Sequence, residues 1–177
     1  MKKEQHHICF DLETLGNNPA SPIIQIGAVK FDINGIYDKF QINVKHDDIN
    51  KFRLNYSTIM WWMKQNTNVI NSLTTEPIVD LATAIQLFFE WVGIVDGYLF
   101  WSHATFDGPI LRTAMDALRL GDKIPYRNYR DVRTIVDICD IDIPKQSEDT
   151  LHIAVNDAEY EANQVIFGLK KYFNYGS

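Results

Sequence analysis

The order in which residue periodicities change along this chain predicts an α/β layered domain, a mixed sheet of about five strands flanked by helices. Three observations carry that expectation. Apolar and polar residues alternate through ICFDLET, IIQIGAVKF and KFQINV; an Asn34-Gly35 pair separates the last two of these β-rich runs; and after residue 56 the apolar spacing becomes helical and alternates with a further strand. With 177 residues, 46% of them hydrophobic, the chain has the material for one core and reads as a single domain over residues 1–177.

The elements follow in order. In the first strand, over residues 8–16, Ile8, Phe10 and Leu12 point one way and Cys9, Asp11 and Glu13 the other. Asn-Gly is a strong two-residue hairpin signal, so the first three strands are expected to be antiparallel. STIMWWMKQN reads as a helix with Ser57 as N-cap, and DLATAIQLFFEWV as a helix capped by Asp80, with Leu81, Ala84, Leu87, Phe88 and Trp91 on its inner stripe. A strand YLFW precedes the helix GPILRTAMDALRL, whose first turn holds Pro109 and whose inner positions are Ile110, Ala114 and Leu118; this puts Asp107 at the helix N-terminus. The last helix opens at NDAE, where Asn156 and Glu159 resemble a capping box and Asp157 is the first helical residue, and it turns Ala158, Ala162, Val165, Leu169 and Phe173 inward.

The formal net charge is −6, which argues against an indiscriminate polyanion binder, although acidic residues gathered at a metal site count towards that total without repelling a metal-bridged phosphate. Two cysteines, Cys9 and Cys139, give neither a disulfide framework nor a cysteine zinc site and suit a reducing cytoplasm. The N-terminus MKKEQHHICF has no apolar signal core, and the most apolar stretch is interrupted by Glu90 and Asp96, so no membrane association is expected. Repeats and a GxxxxGK[ST] phosphate loop are lacking.

Asp11 and Glu13 pose the sharpest question. Side chains two apart on a strand stand roughly 7 Å from one another, and two unit negative charges there repel by about 2 kcal/mol at an effective dielectric near 20. A positive group is expected beside them, and Lys3 and Lys30 are the nearest in sequence. Asp107 and Asp157, at helix N-termini, belong to elements that meet the ends of central strands, so all four carboxylates can converge on one crevice.

FDLET resembles the first motif of the DEDD 3′ to 5′ exonucleases, HATFD the second, and HIAVND the third in the form His-x4-Asp that marks the DEDDh subgroup, which includes oligoribonuclease, ribonuclease T and proofreading domains. STIMWWMKQ and YRNYRDVRT resemble segments of the phage exonuclease A type and of a small bacterial exoribonuclease family related to it, so the likeness runs from residue 8 to about 165. Where many relatives have Asn before the A-x-F-D of the second motif, this chain has Ser102 and His103. The resemblance implies a ribonuclease H-like fold and release of nucleoside 5′-monophosphates from single-stranded 3′ ends, DNA slightly favoured over RNA. It implies Asp11, Glu13, Asp107 and Asp157 as ligands of two divalent cations and His152 as general base. Thr14, Leu15, His103, Phe106, Trp62, Arg130 and Arg133 are the implied substrate contacts, and dimerisation among related enzymes admits a homodimer.

The chemistry suits these residues independently. Phosphodiester hydrolysis can use two ions about 4 Å apart, and hard oxygen ligands select Mg²⁺ or Mn²⁺. Within a single helix His152 and Asp157 would lie about 140° apart, at roughly 100° per residue, so His152 belongs on the preceding loop, where its imidazole can face the metals. Each site residue also has a plainer reading: Asp107 and Asp157 as helix caps, His152 and the His6-His7 pair as solvated loop histidines, Trp61 and Trp62 as core and rim of a helix. From Arg119 to Arg133 five basic residues face two acidic ones, a local +3 with Tyr126 and Tyr129 interleaved; this suits a single strand, or equally a solvated loop in which Asp131 caps the next helix and holds Arg133. Two rivals are an exoribonuclease trimming short RNA or RNA overhangs, and a catalytically silent nucleic-acid-binding or polymerase-associated module.

Overall fold

Alternation in the first strand does in three dimensions what it implies in sequence. In the computed structural model, which describes residues 6–47, 49–148 and 150–174, strand β1 spans His6–Thr14, β2 Ile23–Asp32 and β3 Gly35–Lys45. Ile8, Phe10 and Leu12 enter one core, and Cys9 enters a second on the opposite face with Val29, Phe31 and Trp101. β1–β2 and β2–β3 are antiparallel as expected. The hairpin turn is shifted by one residue from Asn34-Gly35: Asp32 pairs with Gly35, and the turn residues are Ile33 and Asn34. Asp32 decides this, because its carboxylate accepts from Asn34 N and from Gly35 N.

Helices α1 (Tyr56–Trp62) and α2 (Thr67–Ser72) follow, then β4 (Ile78–Asp80), α3 (Leu81–Val92), β5 (Tyr98–Ser102), α4 (Asp107–Ala117), β6 (Tyr129–Asp131), α5 (Val132–Cys139) and α6 (Ala154–Asn174). The mixed sheet has six strands, not five, in the order β4-β3-β2-β1-β5-β6. β4 and β6 are three residues each and pair in parallel at the two edges, too short to show a period in the sequence. β5 pairs in parallel with β1, which makes β1 central.

Several local expectations are corrected. Asn55, not Ser57, caps α1, its carboxamide accepting from Thr58 N; Ser57 donates to that same oxygen. Asp80 caps α3 as expected, but the buried stripe is Leu81, Ala84, Ile85, Phe88, Phe89 and Val92, and Leu87 is exposed. His6 and His7 lie in β1 rather than in a loop, and His7 is buried, stacked on Phe31 and accepting from Trp101 Nε1. The last helix starts at Ala154, so Asn156 is within it and not its cap. Its opening N–H, that of Ala154, donates at 2.8 Å to Gln25 Oε1 of β2, a cap supplied from 129 residues away. Ala158, Ala162 and Val165 are buried, while Phe173 is exposed.

Candidate active site

Three elements deliver the carboxylates. Asp11 and Glu13 stand on the β1 face covered by α6, and Asp11 pairs with Gly27 of β2. Gly27 is what lets α6 descend there: a Cβ on it would lie 2.1 Å from both the Ala154 carbonyl carbon and the Val155 nitrogen. The start of α6 therefore rests on bare backbone, and Asp157, within its first turn, reaches the carboxylates of β1. Asp107 opens α4 and is fully buried; Oδ1 accepts from Leu12 N at 3.3 Å and Oδ2 from His103 N at 3.0 Å.

His152 sits on the loop before α6, as the angular argument requires, in the left-handed backbone region with φ 66°. Its N–H donates to Asp157 Oδ2 at 3.0 Å, which turns the loop back over the helix start. Trp61 meets the His152 ring edge-on, centroids 4.6 Å apart, and fixes its plane. Ligand atoms of Glu13, His152 and Asp157 all lie within 4.8 Å of one another.

These groups line an open cleft of about 640 Å³ together with Asp11, His103, Phe106 and Tyr160. Two further carboxylates line it, exposed Glu148 and buried Glu161, and the buried one is absent from the sequence reading. Glu161 lies one helical turn after Asp157, and that i, i+4 spacing is the signal by which it can be found. Burial, then the negative charges of Asp107, Glu13, Glu161 and Asp157, holds the Asp11 carboxyl well above the usual carboxylate range. Burial first and neighbouring carboxylates second push Glu13 up to about 8; burial raises Asp107 to about 7 and Asp157 to about 6. Burial also pushes the His152 and His103 rings below their ordinary value.

The cleft fits divalent cations on its own geometry. Glu13 Oε1 and Asp157 Oδ1 are buried with no hydrogen-bond partner among the described residues. Carboxylate oxygens are rarely left so in a folded interior, and their natural partner here is a hard cation. Lys30 does not serve: its ammonium lies 4.5 Å over the Trp91 ring and 3.6 Å from Asp38. Lys3 lies outside the described residues.

Of the substrate contacts expected from sequence, His103 and Phe106 line the cleft. Thr14 is buried and its hydroxyl donates to Gly16 O; Leu15 exchanges backbone hydrogen bonds with Pro22 and Asn55. Trp62 is 5% exposed and its indole N–H donates to Thr14 O, so Trp61, not Trp62, is the ring beside the site. Arg130 donates to the carbonyls of Arg127 and Tyr129 and borders a separate groove between α5 and α6. Arg133 is exposed on α5, its charge favouring the ionised forms of Asp107 and Glu161. Asp131 caps α5 and also accepts from Ala104 N, tying the second-motif loop to that helix.

Solved structures share the fold. The nuclease domain of 3′hExo, described as a DEDDh family member bound to rAMP, matches with a TM-score of 0.63 at 14% identity, over 96% of this chain and 94% of that one. E. coli exonuclease I in complex with single-stranded DNA, in a zinc-bound form, gives 0.70 at 15% identity, over 98% of this chain and 43% of that one. Cell-death related nuclease 4 gives 0.62 at 15% identity, over 97% of this chain and 64% of that one. The chain thus spans under two thirds of the latter two proteins. No curated protein sequence matches it. The family model for the 3′-5′ exoribonuclease Rv2179c-like domain matches residues 6–168, which takes in all three acidic motifs and the His152 loop, and the chain belongs to that family.

Proposed function

We propose that this domain is a metal-dependent 3′ to 5′ exonuclease that hydrolyses the terminal phosphodiester bond of a single-stranded end and releases a nucleoside 5′-monophosphate. The observation that carries this reading is the pair of buried, unpartnered oxygens, Glu13 Oε1 and Asp157 Oδ1, in a cleft of gathered carboxylates beside His152. Asp11, Glu13, Asp107 and Asp157 would hold two cations, Mg²⁺ or Mn²⁺. When bound, such ions activate a water and stabilise the leaving oxygen of an in-line displacement. His152, whose ring burial pushes below its ordinary value, would take the proton of such a water on its cleft-facing imidazole. Its backbone bond to Asp157 and the Trp61 contact hold that ring in place. Phe106, on the cleft wall, offers a face for the terminal base.

Membership of a family described by exoribonuclease activity moves the substrate towards RNA. Among the described residues no helix is long and apolar enough to cross a membrane. The test is digestion of 5′-labelled DNA and RNA oligonucleotides of one sequence with magnesium, manganese or chelator. A ladder of shortened labelled strands with metal, and intact strands in chelator, is expected. Undiminished cleavage in chelator would overturn the metal assignment, and binding without cleavage in either metal would leave the silent module.

A further inference from the structure

Glu161 is buried at 4% exposure on the inner face of α6, one turn beyond Asp157, and its two oxygens reach two other elements. Oε1 lies 3.1 Å from His103 Nε2, in the loop between β5 and α4, and Oε2 accepts from Cys9 Sγ of β1 at 3.5 Å. The same His103 donates its backbone N–H to Asp107 Oδ2. The close approach of the Glu161 carboxylate to the His103 ring and the bond from the His103 backbone to Asp107 therefore link α6 to the start of α4 through one residue. Asp107 and Asp157, on different helices, have no other side-chain tie of this kind among the described residues. Burying one more carboxylate among four raises the electrostatic cost of the cleft, and that cost needs a counterpart.

We propose that Glu161 and His103 form a positioning pair, a strut that sets the spacing of the Asp107 and Asp157 carboxylates and so the affinity of the cleft for its cations. This rests on the metal-dependent reading above. The pair acts through the 3.1 Å approach of His103 Nε2 to Glu161 Oε1, and neither side chain need touch the reacting atoms.

The test uses the full chain and compares Glu161→Ala, Glu161→Gln, His103→Ala, His103→Gln and the Glu161→Ala/His103→Ala double variant. Mn²⁺ affinity is measured by calorimetry, kcat and KM on an end-labelled oligonucleotide, and the thermal midpoint in chelator. Each Ala variant should bind Mn²⁺ about 10- to 100-fold more weakly and lose a similar factor in kcat with KM little changed, the range typical of groups that orient metal ligands. The double variant should be no worse than the singles, because one interaction is removed either way. Glu161→Gln keeps an acceptor for Nε2–H, and His103→Gln places an amide N–H near the same point, so both should recover most of the loss.

Glu161→Gln as impaired as Glu161→Ala would make Glu161 a direct ligand and overturn the strut. So would additive losses in the double variant, or Ala variants with wild-type Mn²⁺ affinity. A rise in KM alone for His103→Ala would make His103 a substrate contact instead. If Glu161→Ala does not fold, the two variants at partly exposed His103 still decide the outcome. Failure of the wild-type chain to bind Mn²⁺ or cleave would instead overturn the exonuclease reading itself.

Discussion

Residue by residue, the site separates groups whose work is structural from groups with nothing structural to do. Both oxygens of Asp107 accept backbone N–H groups, whereas Asp157 accepts one, on Oδ2, while Oδ1 makes no hydrogen bond and the nearby Gln146 side chain favours the ionised form. Asp157→Asn can keep its one bond through the amide oxygen, so folding should survive while Mg²⁺ no longer raises the thermal midpoint and exonuclease activity collapses. Asp107→Asn must turn an amide N–H towards a backbone N–H, and it should in addition lose about 1–3 kcal/mol of stability in denaturant titration. Equal stability of the two variants would refute that distinction. For His152→Ala the expected outcome is kcat lower by roughly 100-fold or more with KM little altered; near-normal turnover at neutral pH would remove its role as base. These four carboxylates and the histidine were legible because strand period, helix starts and the His-x4-Asp spacing survive in the sequence. Glu161 is not legible in the same way, because an acidic residue inside a long helix looks like any solvated one until its neighbours are placed.

At the scale of elements, what determines the site is the approach of α6 to β2, and this was the least legible part. The sequence shows a helix with Asp157 near its start, but its true beginning at Ala154 depends on Gln25, whose side chain supplies the cap across the sheet. No local pattern encodes a cap 129 residues away, so the Asn156–Glu159 capping box was a reasonable signal that lost to a tertiary one. Asn156 instead donates to Thr150 O, and Glu159 pairs with Lys39. The edge strands β4 and β6 escaped for a different reason: three residues cannot display an alternation. Gly27 gives the direct test of this contact. In Gly27→Ala the new methyl meets backbone at 2.1 Å, which a side-chain rotation cannot relieve, so the start of α6 must move. We expect a loss of about 1–3 kcal/mol in denaturant unfolding together with weakened Mn²⁺ binding, because the shift carries Asp157 away from Asp11. Stability falling while Mn²⁺ affinity stays at wild type would show that the metal cleft does not depend on this contact.

Taken as a whole molecule, the domain holds its acidic cleft open at a cost that pH and metal should reveal together. Glu13, Asp107 and Asp157 have folded-state values of about 8, 7 and 6, all raised above ordinary carboxylates chiefly by burial, and Asp11 and Glu161 are shifted in the same direction. For each, the folded state binds the proton more tightly than the unfolded chain, so between the unfolded and folded values the native protein carries more protons, and the stability of unfolding must decline as pH rises. Glu13 contributes that decline from about 4.5 to about 8, and Asp107 and Asp157 from about 3.8 to about 7 and about 6. In chelator the thermal midpoint should therefore fall steadily between pH 5 and 8, unlike the plateau of a protein whose carboxylates are solvent-exposed. A divalent cation binds only the ionised carboxylates, so it should contribute little at pH 5 and progressively more towards pH 8, and the gap between the magnesium and chelator curves should widen with pH. His152, whose ring is pushed below its ordinary value, is already neutral over the upper part of this window, so activity should follow metal occupancy there rather than imidazole titration. The measurement is a grid of thermal midpoints and single-turnover rates across pH with magnesium and with chelator. A chelator curve that rises or stays level from pH 5 to 8 would mean that the carboxylates are already paired in the metal-free fold, and the cleft would then be a structural acidic cluster rather than a cation site.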